Sequence, residues 1–206
     1  IDLDYGLLTN VFGIPKKEIV FKEDVWVGYG AFGYSLEYYV RGLELGNAVF
    51  TQFEGDPTNY KTMDDKIIDM GAGLERFSWL TQGTPTAYES VFGSAIKNMI
   101  DKCNIVYDQD FFENYSKFSG MLNLDEVSDI ELTRKQVAEK LGVDTDELIE
   151  KVTPFESMFA VLDHVKTLVF AISDGALPSN VGGGYNLRVL LRRSLSKIHS
   201  QKWNVE

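Results

Sequence analysis

Cysteine is almost absent from this chain of 206 residues, and the single one, Cys103, cannot form an internal disulfide. Only two histidines occur, His164 and His199, and neither stands at metal-ligand spacing from Cys103, so no zinc or other protein-held metal is expected. No segment approaches the roughly 20 apolar residues of a membrane span. The first residues also lack the basic, apolar and small-residue series of a signal peptide. These absences point to a cytoplasmic protein without a membrane partner. Acid is missing from one region alone: no Asp or Glu lies between Asp174 and Glu206.

What is present fits a globular chain with a buried core. Hydrophobic residues make up 44% and charged residues 25%, amounts that suit one large domain or two small ones. The net charge of −11 argues against a nucleic-acid partner, because neutralising phosphate takes Lys and Arg. That average conceals an asymmetry. Residues 1–160 hold 28 acids and 14 bases, whereas residues 161–206 hold 3 acids and 6 bases. An acidic body with a basic tail is the pattern to explain. The opening "IDLDYGLL" reads as the middle of a chain, so further polypeptide on both sides is expected.

Along the chain, apolar and aromatic residues alternate over 20–27 and 35–41, and again over 47–55 and 66–71, bounded by glycines. Four strands this close together favour an antiparallel sheet. After Gly73 the period becomes helical, through Leu74, Phe77 and Leu80, then Val91, Ala95, Ile96 and Met99, with a break over 81–90. Residues 106–135 show no single period and read as loops and short helices. Residues 133–152 read as a small helical hairpin with Thr133 as N-cap, Gly142 as stop and Asp144 or Thr145 as the next cap. Pro154 then opens a long helix over 154–178 that buries Phe159, Leu162, Val165, Val169 and Ile172. A last helix places Leu187, Leu190, Leu191, Leu195 and Ile198 on one side, with Arg188, Arg192 and Lys197 largely elsewhere. The fold class is α+β, an antiparallel sheet followed by an α-helical domain.

Two segments carry chemistry. In "DMGAGLERF", Asp69 to Phe77, Gly71 and Gly73 let backbone approach a ligand where a strand gives way to a helix. The fresh helix end offers unpaired N–H groups, and Arg76 adds a planar cation. This arrangement suits an anion, although two glycines and an arginine also describe an ordinary turn. In "SDGALPSNVGGGYNLRVLLRR", residues 173–193, the glycines are not followed by Lys-Ser or Lys-Thr, so a nucleotide P-loop is not expected. They read as a loop between two helices, the second of which groups Arg188, Arg192 and Arg193, side chains suited to bidentate phosphate contacts.

The string Gly-x-Gly-Leu-Glu-Arg between strand and helix resembles motif 3 of the class II aminoacyl-tRNA synthetases. Together with "EDVWVGYGAFGYSLEYYVRGLELGNAVFTQFEG" (23–55) and the Pro-Ser-Asn, Gly-Tyr and Arg-Arg signature of 173–193, it resembles the archaeal-type alanyl-tRNA synthetases over nearly the whole chain. The sequence departs from that pattern at Met70, where the family has threonine, and at Gly183 and Lys166, where it has arginine. The resemblance implies that Arg76 binds the γ-phosphate of ATP and that Asp69 holds the amino group of alanine, the two forming the catalytic pair. Gly71 then borders both alanine and ATP, and Gly73 borders ATP. Trp26 and Val49, which on composition alone read as core residues, line the alanine pocket, with Asn47 close by.

The resemblance also implies that Asn180 helps read the G·U pair of the tRNA-Ala acceptor stem, with Tyr185, Arg188, Arg192 and Arg193 as further tRNA contacts; the plainer reading of Asn180 is a helix cap near Gly184. His164 receives no role. Residues 1–100 correspond to the end of the aminoacylation core and residues 101–206 to the helical tRNA-recognition domain. Mg²⁺ accompanies ATP rather than occupying a protein cage. Two other classes stay open: an adenylate-forming enzyme that loads another acceptor, and a non-catalytic RNA-binding module.

Overall fold

The computed structural model describes residues 1–122 and 127–205. Contacts divide the chain into two compact units, Ile1–Gly83 and Thr84–Glu206. The helices that follow residue 83 thus join the helical unit, because Phe92, Ile96, Met99 and Ile100 pack into its core.

In the first unit a short helix α1 (Asp2–Gly6) continues into a π-helical turn (Leu7–Val11). Four antiparallel strands follow in the order β1 (Ile19–Gly28), β2 (Ala31–Val40), β3 (Leu43–Asp56) and β4 (Asn59–Ala72), and α2 (Leu74–Gln82) closes the unit. The strands are joined by tight hairpins, two of which need positive φ at both central residues: Tyr29 and Gly30, then Arg41 and Gly42. The third is closed by Asp56, whose Oδ1 accepts from the N–H groups of Thr58 and Asn59. Sequence periodicity places the last strand only from residue 66. β4 starts at Asn59 because β3 offers its partners from Asp56 onward, even to a polar segment.

Side chains of cross-strand partners share a face of the sheet. On the apolar face Tyr38, Val40 and Leu45 are buried against Leu8, with Phe77 and Leu80 of α2 packed alongside. Gly46 makes this packing possible. A Cβ there would lie 2.3 Å from the carbonyl oxygen of Gly71 and 2.5 Å from the Tyr38 hydroxyl.

In the second unit α3 (Ala87–Phe92), α4 (Ser94–Cys103), α5 (Gln109–Ser116), α6 (Ile130–Leu141), α7 (Thr145–Ser173) and α8 (Gly182–Ser200) surround a core of Phe112, Val137, Leu148, Phe155 and Met158. Asp129, rather than Thr133, caps α6 by accepting from the N–H of Leu132. Gly142 ends that helix as expected, in the left-handed conformation.

Pro154 does not open a helix: α7 runs unbroken from Thr145 to Ser173 with Pro154 inside it. The proline has no N–H for the carbonyl of Glu150, a cost of about 3 kcal/mol in an exposed helix. Burial of Leu148, Val152, Phe155, Met158 and Phe159 on both sides of it outweighs that local cost. Val165, Val169 and Ile172 are exposed rather than buried; in that stretch Leu168 carries the packing.

Gly46→Ala should destabilise the first unit by about 1–3 kcal/mol, the usual cost of overpacking. The blocking atom is backbone, which cannot rotate away. A thermal melt with an unchanged midpoint would show that β4 yields at Gly71.

Candidate functional site

The polar face of the sheet gathers the residues expected to meet small substrates. Val49 and Asp69 are direct partners across β3 and β4, and Asn47 and Gly71 form the next pair on the same face. Val49 is 5% exposed and Asp69 is exposed, so an apolar wall stands beside a solvent-facing carboxylate. Asn47 Oδ1 would lie 3.2 Å from a Cβ at Gly71, so the amide lies over that glycine. Trp26 shares the face through its partner Gly33, one step along from the Asp24–Ser35–Val49–Asp69 row. Its indole packs along Gly28, where a Cβ would be 2.6 Å from the ring.

Arg76 rises from the first turn of α2 after Gly73, the N-cap residue, whose N–H donates to the carbonyl of Leu45 at 3.0 Å. Its stem folds over Gly73, where a Cβ would be 2.9 Å from Cδ. The Arg76 Nη1 donates to the backbone carbonyl of Glu44 and lies 3.1 Å from the Glu44 carboxylate. Glu44 pairs with Tyr39 across β2 and β3, so it belongs to the same polar face. The Tyr39 hydroxyl donates to Glu37 Oε2 at 2.6 Å, and that bond, with burial and the carboxylate charge, pushes the phenol up to about 12. Sequence reasoning did not single out Glu37 or Glu44. The available signal was charge in strands that are otherwise apolar and aromatic.

The second group lies on α8 and the loop before it. Asn180, Tyr185, Arg188, Arg192 and Arg193 are all exposed. Tyr185, Arg188 and Arg192 recur at helical spacing and form one stripe. Arg188 Nη1 donates to Asn180 Oδ1, joining two of the expected residues directly. The N-cap of α8 is Val181, with no side-chain cap, so Asn180 is not the helix cap. Its carbonyl is held by arginine, and its NH₂ group remains to be presented outward.

The last glycine of the run has a steric reason. The N–H of Ser179 donates to the carbonyl of Gly184 at 2.9 Å, folding the loop onto the helix. A Cβ on Gly184 would sit 2.3 Å from Ser179 Oγ and 2.7 Å from the carbonyl of Leu177.

A separate cavity of about 690 Å³, lined among others by Phe111, Lys151, Pro154 and Trp203, contains none of the expected site residues. Its Lys151 is already paired with Asp108 at 3.3 Å and Glu147 at 3.2 Å. Among the described residues no cluster of three or more His, Cys, Asp or Glu side chains is placed to hold a metal, and no helix is long and apolar enough to cross a membrane.

The family model described as tRNA synthetases class II (A) matches residues 1–206. An alanine–tRNA ligase of Cenarchaeum symbiosum is 54% identical over 194 residues, 94% of this chain and 22% of the relative. One of Nitrosopumilus maritimus is 49% identical over 203 residues, 97% of this chain and 23% of the relative. One of Pyrococcus abyssi is 35% identical over 96% of this chain. The chain therefore spans about a fifth of the length of the curated relatives it matches.

Gly184→Ala should push the 177–181 loop off α8 and break the Asn180–Arg188 pairing while leaving the core around Met158 intact. Hydrogen exchange should quicken at residues 179–185 and stay slow in the middle of α7. Unchanged exchange at Ser179 would refute the clash.

Proposed function

The chain belongs to the class II (A) tRNA synthetases, and from that premise we propose that it forms the end of the aminoacylation core and the tRNA-reading helical domain of a cytoplasmic alanine–tRNA ligase. The observation that carries this reading is the register that sets Asp69 opposite Val49 beside Gly71. A carboxylate at the edge of an open face pairs with an α-ammonium group. In this reading the buried valine next to it walls the pocket and favours a small apolar side chain such as a methyl group. Alanine is the amino acid that uses both.

In this reading the alanine carboxylate attacks the α-phosphorus of ATP, alanyl-adenylate forms and pyrophosphate leaves. The terminal ribose hydroxyl of tRNA-Ala then attacks the acyl carbon and AMP departs. No side chain of this chain acts as nucleophile. Its contribution is positioning and charge placed where phosphate charge develops. Arg76 leaves Glu44 for the γ-phosphate, a step aided by the exposure of that ion pair. Gly71 and Gly73 admit the nucleotide close to backbone. Mg²⁺ arrives with ATP as part of the substrate.

The helical unit reads the acceptor stem. Asn180, its carbonyl occupied by Arg188, offers amide donors to base edges in the shallow minor groove of A-form RNA. Tyr185, Arg188, Arg192 and Arg193 supply stacking and phosphate contacts. In this reading the other parts of the enzyme belong to a longer polypeptide, as the length of the relatives suggests, and the functional boundary is proposed near residue 100, past the point at which α3 and α4 join the packing of the second unit.

Two experiments on the whole protein separate the parts of this reading. In alanine-dependent pyrophosphate exchange, Arg76→Ala should raise the KM for ATP most, whereas Asp69→Asn should raise the KM for alanine most. Equal effects of Asp69→Asn on both substrates would reduce Asp69 to a structural role. Asn180→Ala should leave exchange nearly intact, slow aminoacylation of the G·U-bearing tRNA and narrow its preference over a G·C-substituted stem. A lowered melting point with that preference unchanged would remove Asn180 from recognition.

A further inference from the structure

We propose that the cavity between α7 and α8, bounded by His164, Arg193, Ser196 and Lys197, seats a backbone phosphate of bound RNA. The inference rests on the reading that the helical unit binds tRNA. It adds a second contact line to the Asn180–Arg188–Arg192 stripe.

The cavity holds about 220 Å³, room for a phosphate and part of its ribose, and is lined by Ala160 and His164 of α7 with Arg193, Ser194, Ser196 and Lys197 of α8. Ala160 and His164 lie one turn apart on α7, as do Arg193 and Lys197 on α8, so each helix presents its pair on one face. The small side chain of Ala160 leaves the space. In a chain of net charge −11, no acid lines it. Among the described residues neither Arg193 nor Lys197 makes an ion pair, whereas Arg76 and Lys151 do. Two permanent cations on adjacent turns, unpaired and exposed, are the donor set a phosphodiester requires.

His164 supplies an independent observation. Its Nδ1 is buried without a hydrogen-bond partner. The nearest carboxylate, Asp163, lies 3.9 Å away, too far for a hydrogen bond, and is itself mostly exposed. The His164 ring itself is part-exposed, its side chain 18% accessible, and it borders the basic cavity, while its unpartnered Nδ1 is, among the described residues, the one polar atom there without a protein explanation. Ser194 already donates to the carbonyl of Leu190 at 3.0 Å, which leaves Ser196, at the exposed rim, as the hydroxyl for the anion.

The test uses the whole protein and an acceptor-stem RNA, with Kd measured from ~50 to ~200 mM salt. Ser196→Glu places a carboxylate at the rim, and Lys197→Gln removes one charge; both positions are exposed on α8, so the fold tolerates the changes. Each variant should weaken binding several-fold, equally for G·U and G·C stems. Lys197→Gln should also flatten the plot of log K against log salt by about one.

Unchanged affinity and slope in both variants, with Arg192→Ala still weakening binding, would overturn the cavity while keeping tRNA recognition by the helical unit. Absence of RNA binding by the unsubstituted protein would overturn recognition itself. Titration with inorganic phosphate, followed through the His164 ring resonances, distinguishes a free-anion site. Saturation at low millimolar phosphate with RNA binding unaffected by either variant would assign the cavity to the free ion and refute the proposal.

Discussion

The pairing of β3 with β4 is the constraint on which the sheet unit depends. Side chains alternate faces at every residue, so a one-residue slip would turn Val49 or Asp69 to the other face. The register at Val49 is held from the Gly46 end, where that glycine lies under the Gly71 carbonyl and the buried Tyr38 hydroxyl; the Asp56 hairpin sets only the pairing from Phe53 to Asp56, because the register shifts between Thr51 and Phe53. Tyr38 is 2% exposed, and burial drives its phenol above the ordinary range. The packing that holds the apolar face therefore also sets the spacing of the polar one. Two bulges, between Phe32 and Gly33 and between Tyr38 and Tyr39, adjust the register of β2 against β3 without disturbing the Val49–Asp69 pair.

Much of this was legible in sequence because the relevant signals are local. Alternation, glycine-bounded hairpins and the change of period after Gly73 describe an antiparallel sheet followed by helices. What was not legible depended on tertiary partners. The start of β4 is polar and exposed, and the strand state of residues 59–62 comes from their pairing with β3. Pro154 reads as a helix start, yet its neighbours on both sides face one core, and shared burial carries α7 through the break. Likewise, the glycine triplet advertises flexibility, whereas Gly184 is there because loop atoms occupy the place of its Cβ.

The candidate sites were legible to different degrees for the same reason. Asp69, Gly71, Gly73 and Arg76 stand in one short string, and Val49 is found beside them only through the register. The Asn180–Arg188 hydrogen bond spans eight positions and is a product of the folded loop. Charge placement follows a similar logic. The acids concentrate in the first 160 residues, while the exposed arginines of α8 sit in a stretch cleared of acid, so each guanidinium stands without an acidic competitor in its own segment.

The polar face of the sheet and α8 differ in how they keep their cations. On the sheet, Arg76 is held by Glu44 and Lys22 lies 3.5 Å from Glu37, so the polar face carries its own counter-charges. Exposed pairs of this kind contribute about 0–1 kcal/mol, small beside the attraction of a triphosphate for a guanidinium. Such pairing keeps the arginine oriented and, in the proposed function, gives way to the triphosphate. It also holds an acid where the cation alone would bind any phosphate, which favours a multiply charged ligand over a single one. On α8 no acid plays that part. Among the described residues Arg192, Arg193 and Lys197 meet solvent without an ion-pair partner, an arrangement suited to a polyanion whose many phosphates act together and whose binding weakens steeply with salt. In the proposed function the sheet therefore selects by displacement of an internal partner, and the helix by the summed attraction of free charges.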